Sequence, residues 1–289
     1  MVIPGLLLAA AALAGPLSVV DDAGATVSLA SAAKRVVSLS PGATEIVYAL
    51  GAGARMVGTC SACDYPKAAA ACPKVGDFSS ISAEALLALK PDLVIVTAGA
   101  QRELAVRLRS LGVTSVVLAP ASVDGVLYNV GLLGRLLGRE RAADALVARL
   151  KRRLKELTAE AARKAGGKGP LVYFEIWGDP LMAVGERSYT GELLRLAGAR
   201  NAAAGLTEEI PRISAERIIA SNPDVILLPS PRGDTPAVEQ VKRRAGWDAV
   251  AAVRHGAVHD GLNMDTLVRP GPRLDEGLEQ LIRILYGTH

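Results

Sequence analysis

Aromatic side chains are scarce in this sequence: 289 residues hold two Trp, two Phe and six Tyr. The core must therefore be built from Ala, Val, Leu and Ile, and an aromatic in a loop carries more information than usual. Histidine is as sparse, with three residues, which leaves little for a His-rich transition-metal site. There is no Lys/Arg run of the kind that lines a nucleic-acid stripe. The net charge is +4 and the pI near 9.0. The densest basic cluster, Lys151-Arg152-Arg153, is followed at helical spacing by Glu156 and Glu160 and reads as a solvated helix face. A Walker loop, G-x-S-x-G and H-E-x-x-H are all missing. Gly51-Ala-Gly53 follows a helical pattern, whereas a dinucleotide fingerprint follows a strand. An enzyme is thus the remote alternative, and no cofactor is expected.

Only the first 20 residues form a long uncharged apolar stretch. Leu6 to Leu13 has the length of a secretory h-region, and Ala12-Leu13-Ala14 offers small residues for cleavage. Residues 1–14 are read as a signal peptide, with an uncleaved anchor as the competing reading. Pro16 follows Gly15, so a lipidated N-terminal Cys is not expected. The mature protein is expected to be soluble and periplasmic or extracytoplasmic.

What the chain does contain is one statement made twice. Residues 82–96 read Ser-Ala-Glu-Ala-Leu-Leu-Ala-Leu-Lys-Pro-Asp-Leu-Val-Ile-Val. Residues 214–228 read Ser-Ala-Glu-Arg-Ile-Ile-Ala-Ser-Asn-Pro-Asp-Val-Ile-Leu-Leu. About half the chain separates the copies, too far for a solenoid. Two similar lobes are expected, and a cleft between lobes suits a small molecule. Each copy reads as a Ser-capped helix, a Pro stop and a buried strand. Strand and helix alternate around both copies, which predicts parallel sheets covered by helices. Residues 139–164 contain no Gly or Pro and predict one helix, roughly 39 Å long. The expected division is a first lobe over 20–138, a linking helix over 139–166 and a second lobe over 167–289.

Cys60, Cys63 and Cys72 lie close together. Cys60-x-x-Cys63 has the spacing of a metal or redox pair, but no second pair or nearby His completes four ligands. In an exported chain a local disulfide using Cys72 is the expectation, with one thiol left over; its partner is left open.

Several motifs carry a resemblance. They are Arg35-Val-Val-Ser-Leu-Ser-Pro-Gly-Ala-Thr-Glu, Cys63-Asp-Tyr-Pro, Lys74-Val-Gly-Asp-Phe, the two Ser-Ala-Glu…Pro-Asp segments and Arg269-Pro-Gly-Pro-Arg-Leu. In this order, over about residues 20–288, the chain resembles the vitamin B12 (corrinoid)-binding periplasmic subunits of ABC importers. These belong to the helix-braced class that also includes haem and siderophore binders. The resemblance implies two Rossmann-like lobes joined by one long rigid helix, with the ligand cleft between them. It implies a monomer that meets permease subunits and their cytoplasmic ATPase. Glu84 and Glu216, the Glu of each repeat, map to the carboxylates that grip the permease. Each is expected at a second helical position, near the positive end of the helix dipole.

Ligand contacts are expected from loops at the carboxyl ends of the strands. The candidates are Tyr65, Phe78 and Thr97 in the first lobe, and Glu175, Trp177, Asp265 and Arg269 in the second. Trp177 precedes Gly178-Asp179-Pro180 and is expected in a turn. Asp265 and Arg269, four apart, are also spaced to pair with each other. Ala62 and Thr97 stand where better-known B12 binders carry Tyr and Trp. Haem is the nearest alternative ligand; its axial candidates are Tyr65, Tyr173, Tyr189, His255 and His259.

Overall fold

The computed structural model describes residues 16–99, 101–229 and 237–287. The expected signal peptide lies outside these. Among the described residues no helix is long and apolar enough to cross a membrane.

The chain opens with a hairpin of β1 (Leu17–Val20) and β2 (Thr26–Leu29), followed by β3 (Val36–Ser38), α1 (Pro41–Ala49), β4 (Met56–Thr59) and α2 (Lys67–Ala70). Next come α3 (Ala83–Ala88), β5 (Leu93–Val96), α4 (Gln101–Ser110) and β6 (Ser115–Val117). Helices α5 (Val123–Leu136) and α6 (Glu140–Ala165) lead to β7 (Leu171–Gly178), β8 (Leu181–Ala183), α7 (Tyr189–Leu196) and β9 (Arg200–Asn201). The chain ends with α8 (Ala215–Ser221), β10 (Val225–Leu227), α9 (Ala237–Lys242), α10 (Ala251–Arg254), β11 (Val258–His259), α11 (Met264–Val268) and α12 (Leu274–Tyr286).

The two lobes share a strand order. In the first, four parallel strands run β4-β3-β5-β6. In the second, the parallel strands run β9-β7-β10-β11, and β8 adds antiparallel to the far end of β7. Strand residues alternate between two cores, as a sheet covered on both faces requires. Val36, Leu93, Ile95 and Val116 face the α1–α5 side, whereas Val37, Val94, Val96 and Val117 face the α4 side. Val172, Phe174, Val225 and Leu227 pack with α7 and α12, whereas Tyr173, Ile226 and Val258 pack with Trp247 and Val250.

The repeated segments fold alike. Ser82 and Ser214 cap α3 and α8, each hydroxyl accepting a backbone N–H three residues on, at 3.1 and 3.2 Å. Lys90 and Asn222 take left-handed φ angles of 48° and 50° just before Pro91 and Pro223, ending both helices. The Asp that follows fastens two strands together. Asp92 accepts from Lys34 N and Arg35 N at the start of β3 (2.8 and 3.0 Å), and Asp224 accepts from Leu171 N at the start of β7 (2.7 Å). Ser40, the residue before α1, makes no side-chain cap bond; Pro41 starts that helix.

Helix α6 has 26 residues, and α5 runs with it across the junction. Val123, Val126 and Leu127 of α5 lie in the second-lobe core; Val130, Leu132, Leu133 and Leu136 lie in the first. On α6, Ala143 packs in the first core and Leu150, Leu154 and Leu157 in the second, while Leu146 and Val147 touch both. Ion pairs Arg149–Asp275 (2.7 Å) and Arg153–Glu279 (2.9 Å) tie α6 to α12.

Candidate functional site

In parallel sheets the loops beyond the strand carboxyl ends are free to bind ligands. Here those loops meet across the lobes. The start of α1, just beyond β3, presses on the segment before α12: a Cβ at Gly42 would clash with the Pro270 carbonyl. The loop after β4 supplies Asp64 and Tyr65. Asp64 pairs with Arg269 at 2.6 Å, and Arg269 also holds Asp265 at 2.9 Å. Four residues on, Arg273 binds Glu45 of α1 with both prongs of its guanidinium, at 2.7 and 2.6 Å. It also lies 4.0 Å from the centre of the Tyr65 ring, a cation–π distance.

The two acids of this junction differ in setting. The hydrogen bond from Arg269 holds the Asp64 carboxyl below its ordinary value. Burial pushes the Glu45 carboxyl above its ordinary value, although Arg273 pulls the other way.

Asp265 and Arg269 are thus committed to each other and to Asp64, so Arg269 is spent inside the protein. What this cluster offers a ligand is the exposed sides of Asp64 and Asp265. Glu175 is a correction. It is only 4 % exposed, bound by Arg244 at 2.6 and 2.9 Å and by the Tyr173 hydroxyl at 3.2 Å. It lies mid-strand on the face that packs against Trp247, where a ligand cannot reach, and its partner Arg244 is too distant in sequence to signal this.

The aromatic candidates remain at the surface: Tyr65, Phe78 and Trp177 are 47, 46 and 40 % exposed. The other Phe and the other Trp, Phe174 and Trp247, are core residues. Trp177 is corrected in one respect. It belongs to β7 and pairs with Met182 of β8, because the second half of the hairpin prolongs the strand. Its indole N–H donates to the Asp179 carbonyl at 2.6 Å. Thr97 directly follows β5, and its N–H donates to Gln101 Oε1 at 3.0 Å.

Gln101 was not singled out by its sequence context. Its buried amide also donates to the Leu39 carbonyl at 3.1 Å and to the Phe78 carbonyl at 2.9 Å. One side chain thus fixes the loops after β3 and β5 and the loop bearing Phe78. Glu45 and Arg273 likewise carry no local signal of their pairing, although one lies in the Arg35–Glu45 motif and the other in the Arg269–Leu274 motif.

Of the haem-ligand candidates, Tyr173 and Tyr189 are buried and His255 lies exposed before β11. Tyr65 and the half-buried His259 are at carboxyl ends. Cys72 is a correction: its sulfur meets the Tyr48 hydroxyl at 3.5 Å, whereas the sulfurs that approach each other are those of Cys60 and Cys63. All three are thiols.

Glu84 and Glu216 are exposed on α3 and α8. Each helix precedes a parallel strand, so its first turn starts at the carboxyl-end side of its sheet. The backbone N–H of Glu216 and the Ser214 hydroxyl hold the Glu216 carboxyl below its ordinary value.

Two lobes of one strand order, braced by a shared helix pair and facing each other through their carboxyl-end loops, define a two-lobe substrate-binding protein. The chain belongs to the periplasmic binding protein family, which it matches over residues 36–261. It is 33 % identical over 276 residues to an uncharacterised ABC transporter substrate-binding lipoprotein of Bacillus subtilis, covering 94 % of this chain and 86 % of that one. It is 30 % identical over 257 residues to a vitamin B12-binding protein of Vibrio cholerae, covering 88 % and 89 %. The crystal structure of a periplasmic haem-binding protein from Pseudomonas aeruginosa superposes with a TM-score of 0.79 at 29 % identity, covering 89 % and 94 %. It is a binding protein of the ABC importer type.

Proposed function

We propose that this protein captures a corrinoid between its lobes, outside the cytoplasm, and delivers it to the permease of an ABC importer. The observation that carries the reading is the pairing of exposed aromatic side chains with exposed carboxylates at the facing loops. A corrin is a broad apolar disc rimmed with amides. Trp177, Phe78 and Tyr65 suit the disc, and Asp64 and Asp265 accept hydrogen bonds from the amides. The vitamin B12-binding relative supports the same ligand class. Glu84 and Glu216 are the docking carboxylates, one on each lobe.

A second reading, haem, rests on the exposed Tyr65 phenol, a group able to ligate iron. Titration calorimetry against cyanocobalamin, cobinamide, haemin and a ferric siderophore separates the two. Binding of either corrinoid, with haemin and siderophore inert, is expected; a protein that takes haemin or siderophore and ignores both corrinoids overturns the proposal.

A further inference from the structure

The loop that leaves β4 begins Cys60-Ser-Ala-Cys63. The Cys63 N–H donates to the Cys60 carbonyl at 3.0 Å and closes a four-residue turn. The ends of such a turn have Cα atoms within about 7 Å of each other, a separation a disulfide can span. The two sulfurs are 3.0 Å apart, and both residues are buried, at 0 and 1 % exposed. The sulfurs point at the end of β3, toward the Leu39 and Ser38 carbonyls.

The turn is held from behind. Lys74 Nζ donates to the Cys63 carbonyl, to Thr59 Oγ1 and to the Ala69 carbonyl, at 3.0, 2.9 and 3.1 Å. The charges on the two thiols are unequal. The hydrogen bond from Cys63 lowers Cys60 to about 7, while Cys60 and burial push Cys63 up. Directly after the turn come Asp64 and Tyr65, which reach across to Arg269 and Arg273.

We propose that Cys60 and Cys63 are a disulfide site whose oxidation locks the turn that presents Asp64 and Tyr65 to the second lobe. The oxidant is a small-molecule disulfide. The Cys60 thiolate attacks one of its sulfurs, forms a mixed disulfide and expels a thiolate. Cys63 then loses its proton to that thiolate, attacks the Cys60 sulfur and expels the second. The pair gives up two electrons and two protons, and the oxidant leaves as two thiols. Both sulfurs are buried in the folded chain, so exchange takes place before the loop closes during folding. Cys72 stays outside the reaction, half-buried beside Tyr48.

The test refolds the full chain in a glutathione redox buffer, alkylates it under denaturing conditions and maps the peptides by mass. The expected product links Cys60 to Cys63, with the loss of two hydrogens, and carries the alkyl label on Cys72 alone. Label on all three cysteines, or a linkage through Cys72, overturns the site. The locking role is read on the unmutated protein, oxidised against reduced, by amide hydrogen exchange over residues 61–65. Closing so short a loop predicts exchange slowed by about tenfold or more in the oxidised form. Equal exchange in the two forms overturns the role.

Discussion

Glu45 and Arg273 stand 228 residues apart and meet in a two-pronged ion pair that joins the first helix of one lobe to the last helix of the other. Neither group reaches water freely, so removing one leaves the other charged and unpaired. Glu45→Ala is expected to cost about 3–5 kcal/mol in urea denaturation. Glu45→Gln keeps a hydrogen-bond acceptor for the guanidinium and should cost less. Equal, near-zero losses would show that the pair contributes nothing net.

The junction also predicts two carboxyls that titrate in opposite directions. Asp64 is depressed by Arg269, so its stabilising share is present above its ordinary value of 3.8 and is lost as pH falls through the lower folded value. Glu45 is raised, so its share is present below 4.5 and is lost as pH rises through the higher folded value. Carboxyl titration by NMR should give Asp64 a midpoint under 3.8 and Glu45 one over 4.5. In Arg269→Gln the Asp64 midpoint should climb toward 3.8; if it stays put, Arg269 is not what holds it down.

Trp177 is 40 % exposed, and its N–H is held by its own turn. Trp177→Ala should weaken corrinoid binding by about 1–3 kcal/mol, and Trp177→Phe by less. Calorimetry on the folded variants decides, and unchanged affinity in Trp177→Ala removes this residue from the site.

Glu84 and Glu216 are exposed and are the proposed docking carboxylates. Replacing both with Ala should leave corrinoid affinity as it was and impair uptake in transport-dependent cells. Surface ion pairs add little affinity but set orientation and rate, so the loss should be larger in the double variant than in either single one. Full uptake by the double variant would end the docking assignment.

The local grammar of the fold was readable in the sequence. The Ser caps, the Pro stops and the β-branched runs place α3, α8, β5 and β10, because each signal lies within the element it specifies. Residues 139–164 likewise announce α6. Two of the shortest elements escape: β9 has two residues and β8 three, too few to show a period. What closes the site escapes for a different reason. Asp64–Arg269 and Glu45–Arg273 join residues more than 200 positions apart, and nothing in one segment names its partner in the other. Glu175 shows the opposite error: a carboxylate near a strand end resembles a ligand contact until Arg244 is seen beside it. The repeated Pro-Asp was legible as punctuation, but its Asp is a clasp whose backbone partners lie over 50 residues upstream.

Leu146 and Val147 belong to both cores at once. Neither lobe can melt without uncovering the side chains of a helix that the other still needs. Geometry divides the chain in two, but heat should not: the protein is one cooperative thermodynamic unit, with a single calorimetric transition in which both lobes are lost together.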